Sequence, residues 1–320
     1  MKQRRRKTRI SADTDKGRAR GHLLTERRNP ESGDLDQCPI SDAFDIINGQ
    51  DVSIPAAVAK AKRPIVRTVQ AVADAWRQGG RLVYVGAGTS GRLGVLDAAE
   101  CPPTFRSDPR MVRGIIAGGR KALWRSVEGA EDDPRAARIA IDDLKVDRRD
   151  VVMGIATGGT TPYVHAALAA ARRLRATTVF FACVPRSQVA AACDIDIRVL
   201  TGPEVLTGST RMKAGTATKL VLNTITTLAM VRIGKTYGNL MVDLNALACR
   251  KLTERATRVI TTATGASASE ARELLHAARG RAKTAIIMHR LGLQRAEAEA
   301  LLRRHEGRVR DALADREAGG

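Results

Sequence analysis

Short apolar runs alternate with segments of helical composition through the middle of the chain. The apolar runs span residues 81–85, 112–117, 151–156, 177–183 and 195–200, and we predict a β-strand at each. Segments 92–100, 121–128, 162–175 and 187–192 follow the first four runs and have the composition of helices. This alternation predicts an α/β fold in which a doubly wound, parallel five-stranded sheet is covered by helices on both faces.

Longer helical patterns flank the strand region on both sides. Helices are predicted at 41–48 and 54–78 before the first strand, and at 209–235 and 240–263 after the last. Four short helices follow, at 267–278, 282–289, 295–303 and 306–314, separated by turn-forming residues. We therefore expect residues 24–263 to form the main domain, with N-terminal helices leading into the sheet, and residues 264–320 to form a small C-terminal helical module.

The formal net charge of +20 is partly concentrated at the N-terminus. Residues 1–20 contain nine Lys or Arg and two Asp residues, so seven of the excess positive charges lie there. We interpret residues 1–23 as a disordered basic leader and not as a nucleic-acid-binding arm. No apolar stretch follows the basic residues and no segment is long enough to span a bilayer. The sequence thus predicts a cytoplasmic protein that binds neither nucleic acid nor membrane.

The cysteine and histidine residues show no pattern of metal ligands. The five cysteines include no Cys-x-x-Cys pair, and the five histidines are scattered along the chain. We expect reduced thiols, no metal and no cofactor.

The loop after the first predicted strand has the composition of a phosphate site. Gly86, Gly88 and Gly91 let the backbone approach an anion, and the hydroxyls of Thr89 and Ser90 can donate to phosphate oxygens. The glycines also have the spacing of a dinucleotide-binding loop, but the second strand is not followed by the acidic residue that holds a ribose. A phosphate monoester is the favoured ligand, with a simple tight turn as the alternative.

A second loop of the same design follows the third predicted strand. Gly158, Gly159, Thr160 and Thr161 precede Pro162, which suits the first position of a helix. Both loops are expected at the carboxyl ends of parallel strands, so they can share one phosphate. This pairing resembles the sugar isomerase (SIS) domain, a doubly wound module that binds phosphosugars, over roughly residues 50–240.

Three longer motifs restrict the resemblance to one family within this group of domains. They are TSGRLGVLDAAECPPT at 89–104, SVEGAED at 126–132 and GPEVLTGSTRMKAGT at 202–216. All three resemble the signatures of the N-acetylmuramic acid 6-phosphate etherases, and the resemblance runs from Leu24 to the C-terminal helices. It implies a carbon–oxygen lyase that cleaves the D-lactyl ether of a phosphorylated amino sugar, giving N-acetylglucosamine 6-phosphate and D-lactate in the recycling of cell-wall sugars. It also implies a homodimer with the active site near the subunit interface.

The implied reaction needs two groups that exchange protons. In the open-chain aldehyde the carbonyl acidifies the C2 proton, so lactate can leave C3 by elimination and water can then add to the unsaturated aldehyde. Glu100 and Glu131 match the two catalytic glutamates of the family, and the resemblance assigns Glu100 as the acid that protonates lactate and Glu131 as the base. Composition alone leaves both as solvated acids, and the division of roles between them stays open.

Further substrate contacts are expected where the long helix begins. Ser209, Arg211 and Lys213 are predicted at its N-terminus, where the helix dipole and two cations can hold a phosphate or the lactyl carboxylate. Helix capping and intersubunit ion pairs are the alternative. The chain departs from the family pattern at Gly158, where serine is usual, and at Thr160, so we expect altered phosphate affinity more than altered chemistry.

Two other functions fit parts of the sequence. A phosphosugar-sensing regulator is one, because glucokinase regulatory protein is similar across 202–219, but a sensor does not need both Glu100 and Glu131. An aldose–ketose isomerase is the other, because isomerisation also begins with proton abstraction at C2, but it releases no lactate.

Overall fold

A five-stranded parallel sheet lies at the centre of the main domain. The computed structural model describes residues 20–247 and 249–317. The strands are β1 (Leu82–Gly86), β2 (Val112–Ile116), β3 (Val151–Ile155), β4 (Thr177–Ala182) and β5 (Ile195–Arg198). They lie in the order β2-β1-β3-β4-β5, and all four pairings are parallel. The predicted fold class is confirmed, and each of the five predicted strands overlaps an observed one.

Helices cover both faces of this sheet. They are α1 (Ile40–Val52), α2 (Ile54–Lys60), α3 (Lys62–Arg77), α4 (Gly88–Phe105), α5 (Pro134–Asp143), α6 (Pro162–Arg173) and α7 (Lys213–Arg232). One core lies between the sheet and helices α2, α3, α4 and α7, and a second lies between the sheet and helices α5 and α6. Within β1, Leu82 and Tyr84 face the first core while Val83 and Val85 face the second. A strand buried on both faces is apolar throughout, which explains the continuous apolar runs in the sequence.

The C-terminal region forms a core of its own. A hairpin of β6 (Thr236–Tyr237) and β7 (Leu240–Met241) precedes α8 (Arg250–Thr264), α9 (Ala268–Ala277), α10 (Ala282–Leu291), α11 (Arg295–Arg304) and α12 (Val309–Glu317). The third apolar cluster extends from Val242 to Leu313, so α8 packs with the four shorter helices that follow it. Among the described residues, no helix is both long enough and apolar enough to cross a membrane.

Most of the predicted basic leader, residues 1–19, lies outside the described residues. Its last residues are described, and Leu23 is only 1% exposed, in the core beneath α5 and α6. The chain is therefore packed against the main domain from Leu23 onward.

Two of the helices predicted between strands have other structures. Residues 121–128 form the end of a 3-10 helix and a turn, and the helix that leads to β3 is α5, which the sequence analysis did not predict. Pro134 occupies its first position, and the Asp133 side chain accepts hydrogen bonds from two backbone N–H groups at 2.9 Å, which fixes its start. Residues 187–192 contain turns and no helix, because so short a segment does not offset the cost of helix nucleation.

Three predicted helices differ from the observed ones in their limits. The segment predicted at 54–78 is divided at Ala61 into α2 and α3. The helix predicted from residue 209 begins at Lys213. The one predicted from residue 240 begins only at Arg250, because the chain first turns at Gly238, whose φ of 55° favours glycine, to form the β6–β7 hairpin.

An ion pair between a half-buried guanidinium and a buried carboxylate holds the amino ends of β1 and β3 together. The Asp150 carboxylate, 2% exposed, accepts hydrogen bonds from the backbone N–H of Arg81 at 2.8 Å and from its guanidinium Nη2 at 2.6 Å. The same guanidinium also donates to the carbonyl oxygens of Leu144 and Lys145. Every charge of the pair thus has a partner, which is the condition under which a buried ion pair stabilises a fold.

We predict that Asp150→Ala destabilises the protein by about 3 kcal/mol, because it leaves the Arg81 guanidinium without its carboxylate. Urea unfolding measures the change. Asp147→Ala, which breaks the solvent-exposed Asp147–Arg149 pair three residues away, is the matched control and should shift the unfolding midpoint far less. Equal shifts in the two variants would contradict this role for Asp150.

Candidate active site

The first candidate phosphate loop lies between the end of β1 and the start of α4. The Cβ of any side chain at Gly86 would lie 2.7 Å from the backbone N of Gly91, so this turn requires glycine. No described side chain caps the N-terminus of α4, so its first backbone N–H groups are free to bind an anion. Ser90 is buried in the first turn, while Thr89 is half-buried.

The second candidate loop lies between β3 and α6, beside the first. Gly158, Thr160 and Thr161 are half-buried, and none of the side chains that the structure describes caps the N-terminus of α6. Gly159 has a φ of 84°, and a Cβ there would lie 2.9 Å from Val184 Cγ2. The structure therefore brings the two glycine-rich and hydroxyl-rich loops to the same edge of the sheet, as the strand pattern predicted.

Glu131 lines a cavity that the first loop also borders. The cavity has a volume of about 320 Å³ and is lined by Ala87 and Gly88 of that loop, and by Arg92, Ser126, Glu128 and Glu131 among others. The Glu131 side chain is 47% exposed, and its Oε1 lies 3.9 Å from Nη1 of Arg20, at the N-terminal end of the described chain. Glu131 and the start of α4 thus border the same cavity.

Glu100 faces a different cavity, toward the other end of α4. This second cavity, about 430 Å³, lies between α4 and α7 and is lined by Asp97, Glu100, Lys219 and Asn223 together with apolar side chains. Gly88 and Glu100 are separated by twelve residues of one helix, or about 18 Å along its axis at about 1.5 Å per residue. Within one chain, therefore, Glu100 and Glu131 do not line a common cavity.

A buried carboxylate fixes the helix that carries Glu100. Asp97, one turn before it, accepts hydrogen bonds from the Tyr84 hydroxyl of β1 at 2.9 Å and from the Asn223 amide of α7 at 2.6 Å. Burial raises the pKa of the Asp97 carboxyl, and the hydrogen bonds oppose that rise. The network connects β1, α4 and α7, and so holds Glu100 at the surface of the second cavity.

The N-terminus of α7 is already occupied by a carboxylate from this chain. Glu204, fully buried, accepts hydrogen bonds at 2.9 Å from the backbone N–H groups of Lys213 and Ala214. The predicted anion site at this helix start is therefore filled by Glu204, which the sequence analysis missed although it lies inside the 202–216 motif. Burial raises the pKa of the Glu204 carboxyl.

The three residues predicted at the start of α7 have different environments. The Lys213 ammonium is buried and donates to Oε1 of Gln50 at 2.6 Å, and burial lowers its pKa. Ser209 is half-buried and Arg211 is exposed, both in the turn before the helix. The first loop lies close by, because a Cβ at Gly215 would be 3.6 Å from Thr89 Cγ2.

Comparison with known proteins gives relatives that cover almost the whole chain. The profile of the glucokinase regulatory protein N-terminal SIS domain matches residues 64–172, and that of the SIS domain matches residues 135–228. A protein of Synechocystis sp. strain PCC 6803 named N-acetylmuramic acid 6-phosphate etherase is 51% identical, over 92% of this chain and 96% of its own length. A protein of the same name from Synechococcus elongatus strain PCC 7942 is 54% identical, over 92% of this chain and 95% of its own.

We predict that Gly159→Ala distorts the second loop. The left-handed backbone alone costs about 1–3 kcal/mol for a residue with a side chain, and the new methyl group would also press on Val184 and Val189. Gly119→Ala is the matched control, because Gly119 has a φ of 66° and a Cβ there would have no described atom within 4 Å. Thermal unfolding should show a clearly larger loss for Gly159→Ala, and equal losses would mean that the close packing of this loop has no energetic consequence.

Proposed function

The chain belongs to the N-acetylmuramic acid 6-phosphate etherase family, and from this premise we propose that it cleaves the D-lactyl ether of N-acetylmuramic acid 6-phosphate. The observation that carries the proposal is the position of Glu131, an accessible carboxylate beside a loop with free helix N–H groups. Such a site can bind a phosphosugar and exchange a proton with it. We place this activity in the cytoplasm, in the recycling of cell-wall sugars.

The proposed reaction proceeds by elimination and addition. A base removes the C2 proton of the open-chain aldehyde, the electron pair forms the C2=C3 bond, and the C3–O bond breaks as an acid protonates the departing lactyl oxygen. Water then adds at C3 while C2 regains a proton, so the sum consumes one water and gives N-acetylglucosamine 6-phosphate and D-lactate. We assign Glu131 as the base and Glu100 as the acid, and the same pair returns protons in the addition step.

In this proposal, the loops after β1 and β3 bind the phosphate group of the substrate. Thr89, Ser90, Thr160 and Thr161 offer hydroxyl donors, and the backbone N–H groups of Gly158 and Gly159 add to them. Among the residues before α7, Ser209 and Arg211 remain available to the substrate. The buried ammonium of Lys213 contributes to substrate binding through its positive charge, which attracts an anion.

The separation of the two glutamates supports a homodimeric enzyme. Both carboxyl groups must reach the same C2–C3 unit, yet in one chain they line different cavities. We propose that Glu100 of one subunit completes the site that contains Glu131 of the other. The exposed apolar side chain of Leu96, 52% exposed beside the Glu100 cavity, is available for such an interface.

Release of D-lactate from N-acetylmuramic acid 6-phosphate tests the activity. We expect lactate from the wild-type protein and a fall of at least about a hundredfold in Glu100→Gln and Glu131→Gln, since general acid–base groups contribute about 10²–10⁴-fold. Glu254→Gln, at an exposed position of α8 and outside both cavities, is the control and should change the rate far less. A folded wild-type protein that binds phosphosugar but releases no lactate would instead support a phosphosugar sensor, a function consistent with the match to glucokinase regulatory protein.

Subunit mixing tests the shared site. If the two glutamates of a site come from different chains, a hybrid of Glu100→Gln and Glu131→Gln subunits has one intact site and one doubly defective site. Co-expression of the two inactive variants should then restore about a quarter of wild-type activity, because half of the symmetric dimers are hybrids with one active site each. Activity no higher than that of either inactive variant alone would mean that each site takes both glutamates from one chain.

A further inference from the structure

The cavity that Glu100 lines also contains a lysine. Among the described residues that line it, Lys219 of α7 is the only one with a positively charged side chain. Lys219 is exposed, and none of the described residues forms a hydrogen bond or an ion pair with its ammonium group. The ammonium group is therefore accessible to a ligand that enters this cavity.

The acidic groups of the same cavity do not need this lysine. Glu100 is exposed, and it forms no ion pair with Lys219 or with any other residue that the structure describes. Asp97 is buried, and its carboxylate already accepts hydrogen bonds from three described side chains. The cavity thus offers an unpaired cation and an accessible carboxyl group.

One ligand can contact both of these groups. The cavity has a volume of about 430 Å³ and both side chains line it. Burial raises the pKa of the Asp97 carboxyl, and the charge of Lys219 is among the effects that lower it, so the ammonium group lies near this part of α4. Glu100 follows Asp97 by three residues, or about one helical turn. The acid and the cation therefore border the same end of α4.

The lactyl group of the substrate has a charge that the proposed reaction must accommodate. Its carboxylate is bonded to the same carbon as the ether oxygen that Glu100 protonates, so this carboxylate must lie beside Glu100. Once Glu100 has given up its proton, two carboxylates lie next to each other, and a cation is needed to offset the repulsion between them. Within the described chain, Lys219 is the cation that the cavity provides.

We propose that Lys219 binds the lactyl carboxylate, and so distinguishes N-acetylmuramic acid 6-phosphate from phosphosugars that have no lactyl group. This inference rests on the proposed function, since it takes Glu100 as the acid that protonates the lactyl oxygen. It does not depend on which subunit supplies Glu131, because Lys219 and Glu100 line one cavity of the same chain.

Calorimetry of Lys219→Met tests this contact. The substitution removes the charge and keeps most of the apolar part of the side chain, and a Glu131→Gln background prevents turnover. Binding of N-acetylmuramic acid 6-phosphate should weaken about tenfold or more, as for a lost hydrogen bond between charged groups. Binding of N-acetylglucosamine 6-phosphate, which has no lactyl group, should be unchanged. Equal losses for the two ligands, or no loss for either, would overturn the proposal.

Two further variants are the controls for this measurement. Lys219→Arg keeps a cation at the same position and should lose less affinity for N-acetylmuramic acid 6-phosphate than Lys219→Met. Lys60→Met removes an exposed lysine at the end of α2, outside both cavities, and should bind both ligands like the parent protein. A loss in Lys60→Met as large as that in Lys219→Met would mean that only the overall charge of the protein matters.

A neutral analogue of the substrate provides a second measurement. In the carboxamide of N-acetylmuramic acid 6-phosphate, an uncharged group replaces the lactyl carboxylate. The Glu131→Gln protein should bind the acid about tenfold or more tightly than the carboxamide, and the form that also carries Lys219→Met should bind the two alike. A preference for the acid that persists without Lys219 would mean that another cation binds the carboxylate.

Sedimentation distinguishes a ligand contact from a contact between subunits. Lys219→Met should have the same mass in solution as the wild-type protein. If it dissociates where the wild-type protein is a dimer, and loses affinity for both phosphosugars, then Lys219 stabilises the subunit interface and the proposal is wrong.

Failure of this inference is distinguishable from failure of the proposed function. If the wild-type protein releases lactate but Lys219→Met keeps its full affinity for N-acetylmuramic acid 6-phosphate, only the role of Lys219 is wrong. If the wild-type protein releases no lactate but its affinity for N-acetylmuramic acid 6-phosphate depends on Lys219 as described, the lactyl site stands and the etherase activity is wrong.

Discussion

The parallel pairing of β1 with β3 determines where the site lies. Gly86 pairs with Ile155, so the two strands end at the same level of the sheet, and the loops that follow them must lie side by side. Because β1 lies between β2 and β3, the helices that follow β1 and β3 depart to opposite faces and leave a crevice between them. The Arg81–Asp150 pair secures the opposite ends of the same two strands, so the register that aligns the loops is fixed at both ends.

Helix α4 carries both a candidate phosphate site and Glu100, but it holds them far apart. Its first turn offers N–H groups to a phosphate, while its outer face carries Glu100 away toward α7. A helix tied to its neighbours by Asp97 and its three hydrogen-bond donors does not bend to bring Glu100 back. The distance along this helix is the structural reason for our proposal that two chains share one active site.

The central strands β1, β3 and β4 were predictable from sequence because they are buried and largely apolar on both faces. The edge strands β2 and β5 also contain charged residues, but enough apolar residues remain in them to mark a strand. The two candidate phosphate loops were predictable because glycine and hydroxyl residues directly follow β1 and β3 in the sequence. Contacts between distant segments were not. Glu204 belongs to a long motif, yet only the fold shows that it caps α7. Likewise, only the fold shows that Thr25 lies beside Gly158, 133 positions later in the chain. The helix predictions were wrong in two ways. Helix α5, which the Asp133 side chain caps, was not predicted, and the turn at Gly238 delays the start of α8.

In the proposed reaction the enzyme breaks the bond between C3 of the sugar and the lactyl oxygen. The most direct measurement is mass spectrometry of the products formed in water enriched in oxygen-18. Elimination followed by addition predicts one solvent oxygen at C3 of N-acetylglucosamine 6-phosphate and none in the hydroxyl group of lactate. Label in that hydroxyl group, with an unlabelled sugar, would mean that water attacks the lactyl carbon, and would contradict the proposed roles of the two glutamates.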